Sequence, residues 1–253
     1  AKLIDDLVRD VETHIANQLL PALQSAFAKE LGEPSEGGWS LDIDPNDAQT
    51  VNFHYLAAFA TTEYAGMSYI TPRVKLELGA RGDPWPTEEK VIRPYAAEDH
   101  PAFFEDADTT VRVLSARRTF WEKATAIHVF CLQERLRGDR YARHWHDVAR
   151  LDEAGFAASA FSDRELANAV ARHKAMFFAE KASDRTPINY AAAVNGGLRL
   201  VPAGVGLKAL EEDYASMVDD GLLLEDAEPF DTLMARCADI TTRANNAAAK
   251  EMT

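Results

Sequence analysis

The sequence predicts an α+β fold, and three observations carry the prediction. Apolar residues recur at helical spacing between Leu3 and Leu23. Five short segments between Trp39 and Leu114 are rich in strand formers and bounded by Gly, Pro, Asn and Asp, and from Ser115 onward the periodicity is helical. Strands and helices are segregated rather than alternating, which favours α+β over a doubly wound sheet. With 253 residues, 47% of them hydrophobic, the chain has enough material for one large core or two modest ones. The expected division is an α+β domain over residues 1–114 and a helical domain over 115–253.

In order, Leu3, Ile4, Leu7, Val8, Val11, Ile15, Leu19, Leu20 and Leu23 define an amphipathic helix over residues 3–31, which Pro21 is expected to kink or divide. Glu33-Pro34-Ser35-Glu36-Gly37-Gly38 is a loop. Residues 39–44 and 50–59 then read as a hairpin around Pro45-Asn46-Asp47. In a third strand, 70–78, Val74, Leu76 and Leu78 alternate with Arg73, Lys75 and Glu77, so Glu77 points away from the apolar face. Gly79, Gly82, Pro84 and Pro86 mark a loop, followed by short strands at 90–95 and 110–114. Ser115 is placed to open a helix reaching about residue 133, Asp139 another to about 152, and Ser162 or Asp163 a third to about 182. An irregular stretch with Gly196-Gly197 follows, then helices near 207–219 and 229–250.

Composition narrows the function classes. Cys131 and Cys237 are the only cysteines, and their spacing implies neither a disulfide framework nor a structural zinc, which fits a reducing cytoplasm. No apolar run approaches the roughly 20 residues of a membrane span, and no signal peptide is recognisable, so no membrane partner is expected. The chain starts at Ala1 without an initiator methionine, with the helix under way by Leu3, so a preceding segment is expected. Net charge is −14, and residues 1–111 carry eight Lys/Arg against twenty Asp/Glu. That balance argues against broad, nonspecific duplex binding, which depends on neutralising many phosphates.

One stretch runs against this background: residues 112–150 hold nine Lys/Arg and four Asp/Glu. Within it, Arg117-Arg118-Thr119-Phe120-Trp121-Glu122-Lys123 and Arg140-Tyr141-Ala142-Arg143-His144-Trp145-His146-Asp147 fall on two helical patterns. The loop between them, around Leu136-Arg137-Gly138, is short enough for an antiparallel hairpin. Lys123 lies fourteen positions before Arg137 and Asp147 ten after it. At about 1.5 Å per residue, the two reach within about one turn of the same level and can face one pocket. Arg143, four residues before Asp147, can orient that carboxylate and offer a guanidinium to phosphate; Arg118 stands at the start of its helix. A compact anionic ligand is therefore expected. The competing reading is a solvated face of helical salt bridges, with Phe120, Trp121 and Trp145 as ordinary core residues.

The phrase from Val113-Leu114-Ser115-Ala116-Arg117-Arg118 through Lys123 with a following His128, and the phrase from Arg140 to Asp147-Val148, resemble the AbiEii/AbiGii toxin family of nucleotidyltransferases. The likeness extends to Tyr69-Ile70-Thr71-Pro72-Arg73-Val74-Lys75-Leu76-Glu77-Leu78-Gly79 and to Leu210-Glu211-Glu212-Asp213-Tyr214-Ala215-Ser216-Met217. What this resemblance implies is a polymerase-β-like core, a small mixed sheet, followed by a helical domain. It also implies transfer of a nucleotide from a nucleoside triphosphate to an acceptor such as tRNA, in toxin–antitoxin and phage-defence systems with a cognate antitoxin. In such chemistry carboxylates hold Mg2+ or Mn2+ against the triphosphate. By residue, Glu77 matches the third carboxylate and metal ligand, Lys123 the lysine that touches triphosphate, and Asp147 the acid of the R-x-x-x-D motif that begins at Arg143. Arg118, Arg143, Lys75 and Arg140 are then the substrate-binding cations.

The sequence departs from the family pattern in one respect. The first motif, a Gly-Gly or Gly-Ser turn with D-x-D some ten to twelve residues later, is not found. In Gly37-Gly38-Trp39-Ser40-Leu41-Asp42-Ile43-Asp44 the acids follow the turn too closely for an intervening helix, so Asp42 and Asp44 read as hairpin-edge acids. Either the motif lies ahead of Ala1 or the chain lacks it. In the second case a catalytically incomplete nucleotide- or RNA-binding pseudoenzyme or fragment is the alternative. His144 and His146, two apart on a helix, point about 200° apart and are not expected to share a zinc. His128 reads as a core histidine, and Gly196-Gly197, lacking a following Lys-Ser/Thr, as a turn rather than a phosphate loop.

Overall fold

The computed structural model describes residues 2–34, 38–55, 73–104, 106–134, 140–223 and 227–250. It is a mixed α+β protein with small antiparallel sheets and many helices. It divides into two compact units, Ala1–Gly82 and Asp83–Thr253.

The first unit lays one long helix on a three-stranded sheet. Helix α1 (Lys2–His14) passes through a π-helical turn (Ile15–Leu19) into α2 (Leu20–Leu31). The Leu20 amide donates to Ile15 O, five residues back, in the wider π pattern. Pro21, which has no N–H to give, sits in the first turn of α2, so the expected disturbance is a widened turn. Strands β1 (Ser40–Asp44), β2 (Asp47–His54) and β3 (Arg73–Glu77) form the antiparallel order β1-β2-β3. The hairpin at Pro45 is as expected, with β2 starting earlier; the expected strand residues 56–59 and 70–72 lie outside the described residues. Ile15, Trp39, Leu41 and Val51 are buried at the centre, with Val11, Leu23, Phe27, Phe53 and Leu76 around them. Phe27 stacks on Phe53 at 4.5 Å, and the Trp39 indole N–H donates to Gly32 O at 3.0 Å, tying the end of α2 to β1.

The second unit begins with a two-stranded ribbon, β4 (Thr87–Ile92) against β5 (Thr109–Leu114). Helix α3 (Tyr95–Asp99) and a 3-10 turn (Pro101–Phe103) stand between the strands. β4 lies three residues upstream of its expected place, and the sequence pattern does not foreshadow the helical turns at Tyr95 and Pro101. The sequence groups this ribbon with residues 1–114, yet it belongs to the second compact unit. The reason is local: the Ser115 amide donates to Pro86 O at 2.9 Å, and Arg118 reaches back to Asp83.

Helices α4 (Ala116–Gln133), α5 (Arg143–Glu153), α6 (Phe156–Ser162) and α7 (Arg164–Phe177) follow. α4 starts where expected, although the Ser115 side chain makes no capping hydrogen bond; Asp163 does cap α7, accepting from the Leu166 amide at 3.0 Å. Beyond a short turn α8 (Tyr190–Ala192) the chain makes a second π turn (Ala193–Gly197). There Gly196 has φ +107°, and a Cβ on Gly197 would meet Ala192 O at 2.9 Å, so Gly196-Gly197 is a turn that needs its glycines. Helices α9 (Gly204–Asp219) and α10 (Phe230–Lys250) close the unit. α4 packs against α5, α6 and α7, and α10 against α5, α6 and the second π turn. Phe120, Trp121 and Trp145 are fully buried, confirming them as core. The two indole N–H groups donate to Ala160 O (3.0 Å) and Leu200 O (2.6 Å), which satisfies their only polar atoms. Among the described residues no helix is long and apolar enough to cross a membrane.

Candidate functional site

Antiparallel packing of α4 and α5 brings Lys123 and Asp147 together: Lys123 Nζ lies 2.5 Å from Asp147 Oδ2. Both side chains are part-exposed. They line a groove of about 380 Å³ with Thr119, Arg150 and Leu151. The level-matching read from the loop is thus realised as direct contact.

The remaining cations of the basic stretch are held differently. Arg118 is 2% exposed, with Nη1 3.0 Å from Asp83 and donating to Trp85 O, and Nη2 3.0 Å from Glu122. Glu122 is shared with Lys174 of α7, at 2.5 Å. Arg118 as folded therefore fastens the ribbon to α4 and offers no open guanidinium to a phosphate. Arg117 pairs with Asp163 at 3.0 Å, and Arg150 with Glu153 at 2.8 Å and Glu228 at 3.7 Å. Arg143 is exposed and, among the described residues, forms no ion pair with Asp147. The expected (i, i+4) orientation of that carboxylate is replaced by the contact across the hairpin.

Arg140 adopts φ +70° just before α5. Its amide and that of Ala142 both donate to the Asp213 carboxylate of α9, each at 2.7 Å. Asp213 therefore caps the start of α5 from another helix. Spacing along the chain does not reveal this part; the one signal for it is the place of Asp213 in Leu210-Glu211-Glu212-Asp213-Tyr214. Asp83, Lys174 and Arg150 carry no sequence signal of their own.

Two histidines of this unit stay neutral. Burial pushes His144 down to about 4, helped by the charges of Lys123 and Arg143. Its ring stacks on Phe130, and its Nδ1 is buried without a partner. Burial likewise brings His128 to about 4, with Arg199 adding to the effect, and its Nδ1 accepts the Arg199 amide at 3.1 Å. His128 is thus a satisfied core histidine.

Within the first unit, Glu77 is exposed on β3 as expected, its carboxylate 3.0 Å from Lys75 Nζ, but Val74, expected on the apolar face with Leu76 and Leu78, is exposed as well. Asp42 pairs with His54 at 2.7 Å, while Asp44 accepts the Asn46 amide at 3.0 Å and the Asn52 side chain at 3.3 Å. Those bonds hold the Asp44 carboxyl below its ordinary range. Both acids are thus committed to the hairpin. Among the described residues no group of three or more His, Cys, Asp or Glu side chains is arranged to hold a metal ion.

Fold and site together define a class: an α+β protein whose helical hairpin presents a lysine–carboxylate pair in an accessible groove. The family of nucleotidyl transferase AbiEii toxins of type IV toxin–antitoxin systems matches residues 4–236, and the chain belongs to it. No curated protein sequence and no solved structure matches. Membership implies a nucleotidyl transferase-type toxin with a nucleotide substrate and a cognate antitoxin.

Proposed function

We propose that the chain transfers a nucleotidyl group from a nucleoside triphosphate to a hydroxyl of an RNA acceptor, of which tRNA is the favoured class, as a cytoplasmic toxin with a role in phage defence. The observation that carries the reading is the Lys123–Asp147 contact at 2.5 Å in an accessible groove, in a chain of the AbiEii family. In the reaction the acceptor oxygen bonds to the α-phosphorus, the bond from that phosphorus to the bridging oxygen breaks, and pyrophosphate leaves with the electron pair. Lys123 offsets the charge of the triphosphate, and Asp147 takes the acceptor's proton. Arg143 and Arg140 flank the hairpin as contacts for phosphate or RNA, while Arg118 acts by fixing the helix that carries Lys123.

On this reading residues 1–114 provide the polymerase-β-like part and 115–253 the helical part. Mg2+ or Mn2+ is the proposed cofactor, and Glu77, beside Lys75, contributes one ligand. A lone carboxylate does not make a metal site, and the described residues supply no group to complete it, so no step is routed through the ion.

Lys123→Ala should lower labelling of RNA by radioactive nucleoside triphosphate on the order of 100-fold or more, with circular dichroism and melting unchanged. Undiminished labelling refutes the assignment. Triphosphate binding without any transfer in the unmodified chain identifies the nucleotide-binding pseudoenzyme instead.

A further inference from the structure

We infer that Asp147 occupies the phosphate position on Lys123 in the free protein, so that triphosphate binds by exchange: a phosphate oxygen takes the ammonium and sets the carboxylate loose. The inference rests on the proposed role of Lys123 and adds a condition to it. Substrate binding and exposure of the carboxylate become one event.

Apart from Arg143, which is exposed, the neighbouring cations are already paired. Arg117, Arg118, Arg150 and Lys174 are each engaged by carboxylates on other elements or on neighbouring turns. An incoming polyanion therefore meets a groove whose cations are neutralised. Arg118 is closed off by two carboxylates, a carbonyl and burial. Lys123 shares with Arg117 a single ion-pair partner among the described residues and a part-exposed pair, its own at 27% and 38% exposure, but Arg117 is not among the residues that line the groove, whereas Lys123 and Asp147 are. Water and anions reach this pair, so separating it leaves neither charge buried and unpaired.

Side-chain chemistry points the same way. An ammonium on a four-carbon stem is a point charge without a fixed fork, so it changes acceptors with little geometric cost. At 2.5 Å it is committed to a single carboxylate oxygen. A triphosphate brings several charged oxygens against one carboxylate and outcompetes it for the same donor. Asp147, on the adjacent helix and fixed by the backbone of α5, remains at the groove wall after the ammonium has moved.

The test is binding of inorganic tripolyphosphate to the full chain, by calorimetry, without metal or acceptor. Asp147→Asn keeps the shape and removes the competing charge, and should bind about threefold to tenfold more tightly than the unmodified chain. Lys123→Ala should bind more weakly, and adding Asp147→Asn to it should restore nothing. Asp147→Ser, run in parallel with thermal melts, guards against a folding defect in one variant. Equal or weaker binding by both Asp147 variants overturns the exchange while leaving the transferase reading intact. A gain that survives loss of Lys123 overturns it as well, because the carboxylate would then be acting through general repulsion. If Lys123→Ala leaves binding unchanged, the triphosphate anchor itself falls, and the exchange with it.

Discussion

His128 and His144 are neutral inside the helical unit, each brought from 6.5 to about 4. In the unfolded chain both titrate near 6.5, so above that pH their contribution to stability is fully present. As pH falls, the unfolded chain takes up protons that the folded one refuses, and the contribution is lost down to about pH 4. The loss is about 3 kcal/mol for each group at most. Urea titrations should therefore give a smaller unfolding free energy at pH 4.5 than at pH 7, and His128→Gln should reduce that difference. An unreduced difference removes His128 from the account. At this scale the Lys123–Asp147 pair is legible in the sequence, because two distances from one loop determine it. Glu122, one turn along α4 from Arg118, is legible too, but the other partners are not: Asp163 of Arg117 and Asp83 of Arg118 are distant in sequence, and nothing local to either arginine points to them. Helical spacing assigns Arg143 to Asp147, but it does not register a lysine on the facing helix.

Asp213 joins two elements that sequence treats separately. Its carboxylate satisfies two amides at the start of α5, the helix that carries Asp147, as an N-terminal cap does from within its own chain segment. Asp213→Ala should cost about 1–2 kcal/mol of stability and speed hydrogen exchange at the Arg140 and Ala142 amides. Unchanged exchange there would rule out the capping role. Among the elements, long periodic helices such as α4 and α10 are placed closely by pattern, because repeated apolar contacts fix both their length and their face. Shorter ones escape: α6 lies between Gly155 and Asp163, too brief for its period to show, and α3 is a five-residue turn that begins at Tyr95, the last residue of the expected strand. β4 is displaced from its expected place because its exposed residues, Glu88 to Ile92, lack the alternation that fixes a register.

For the whole molecule, the α+β class follows from the segregation of strand and helix patterns, but the boundary between compact units does not. Element type changes at Ser115, whereas compactness changes at Gly82, because a buried arginine draws the ribbon into the helical unit. Glu77 and the Lys123–Asp147 pair consequently belong to different compact units. The charge balance also has a reading at this scale. Nine cations in residues 112–150 suggest an open basic surface, yet Arg117, Arg118, Lys123 and Arg150 are matched by acids from other parts of the fold, in a chain of net charge −14. The protein should therefore show no retention of random-sequence duplex DNA on filters at about 0.15 M salt. Retention with a steep salt dependence would reveal a basic surface beyond these paired groups.

The π turn in the first unit has a consequence for how the helix meets its sheet. Val11, Ile15, Leu19, Leu23 and Phe27 recur every fourth residue, and in an unbroken α-helix each such step drifts by about 40° around the axis. Left alone, the drift would turn the two ends of the row toward different sides. The wider turn at Ile15–Leu19 winds the chain back partway, as a phase correction halfway along a screw thread. Tightening that turn to ordinary α geometry at unchanged length would restore the full drift, carrying Val11 off the sheet while Phe27 stays seated.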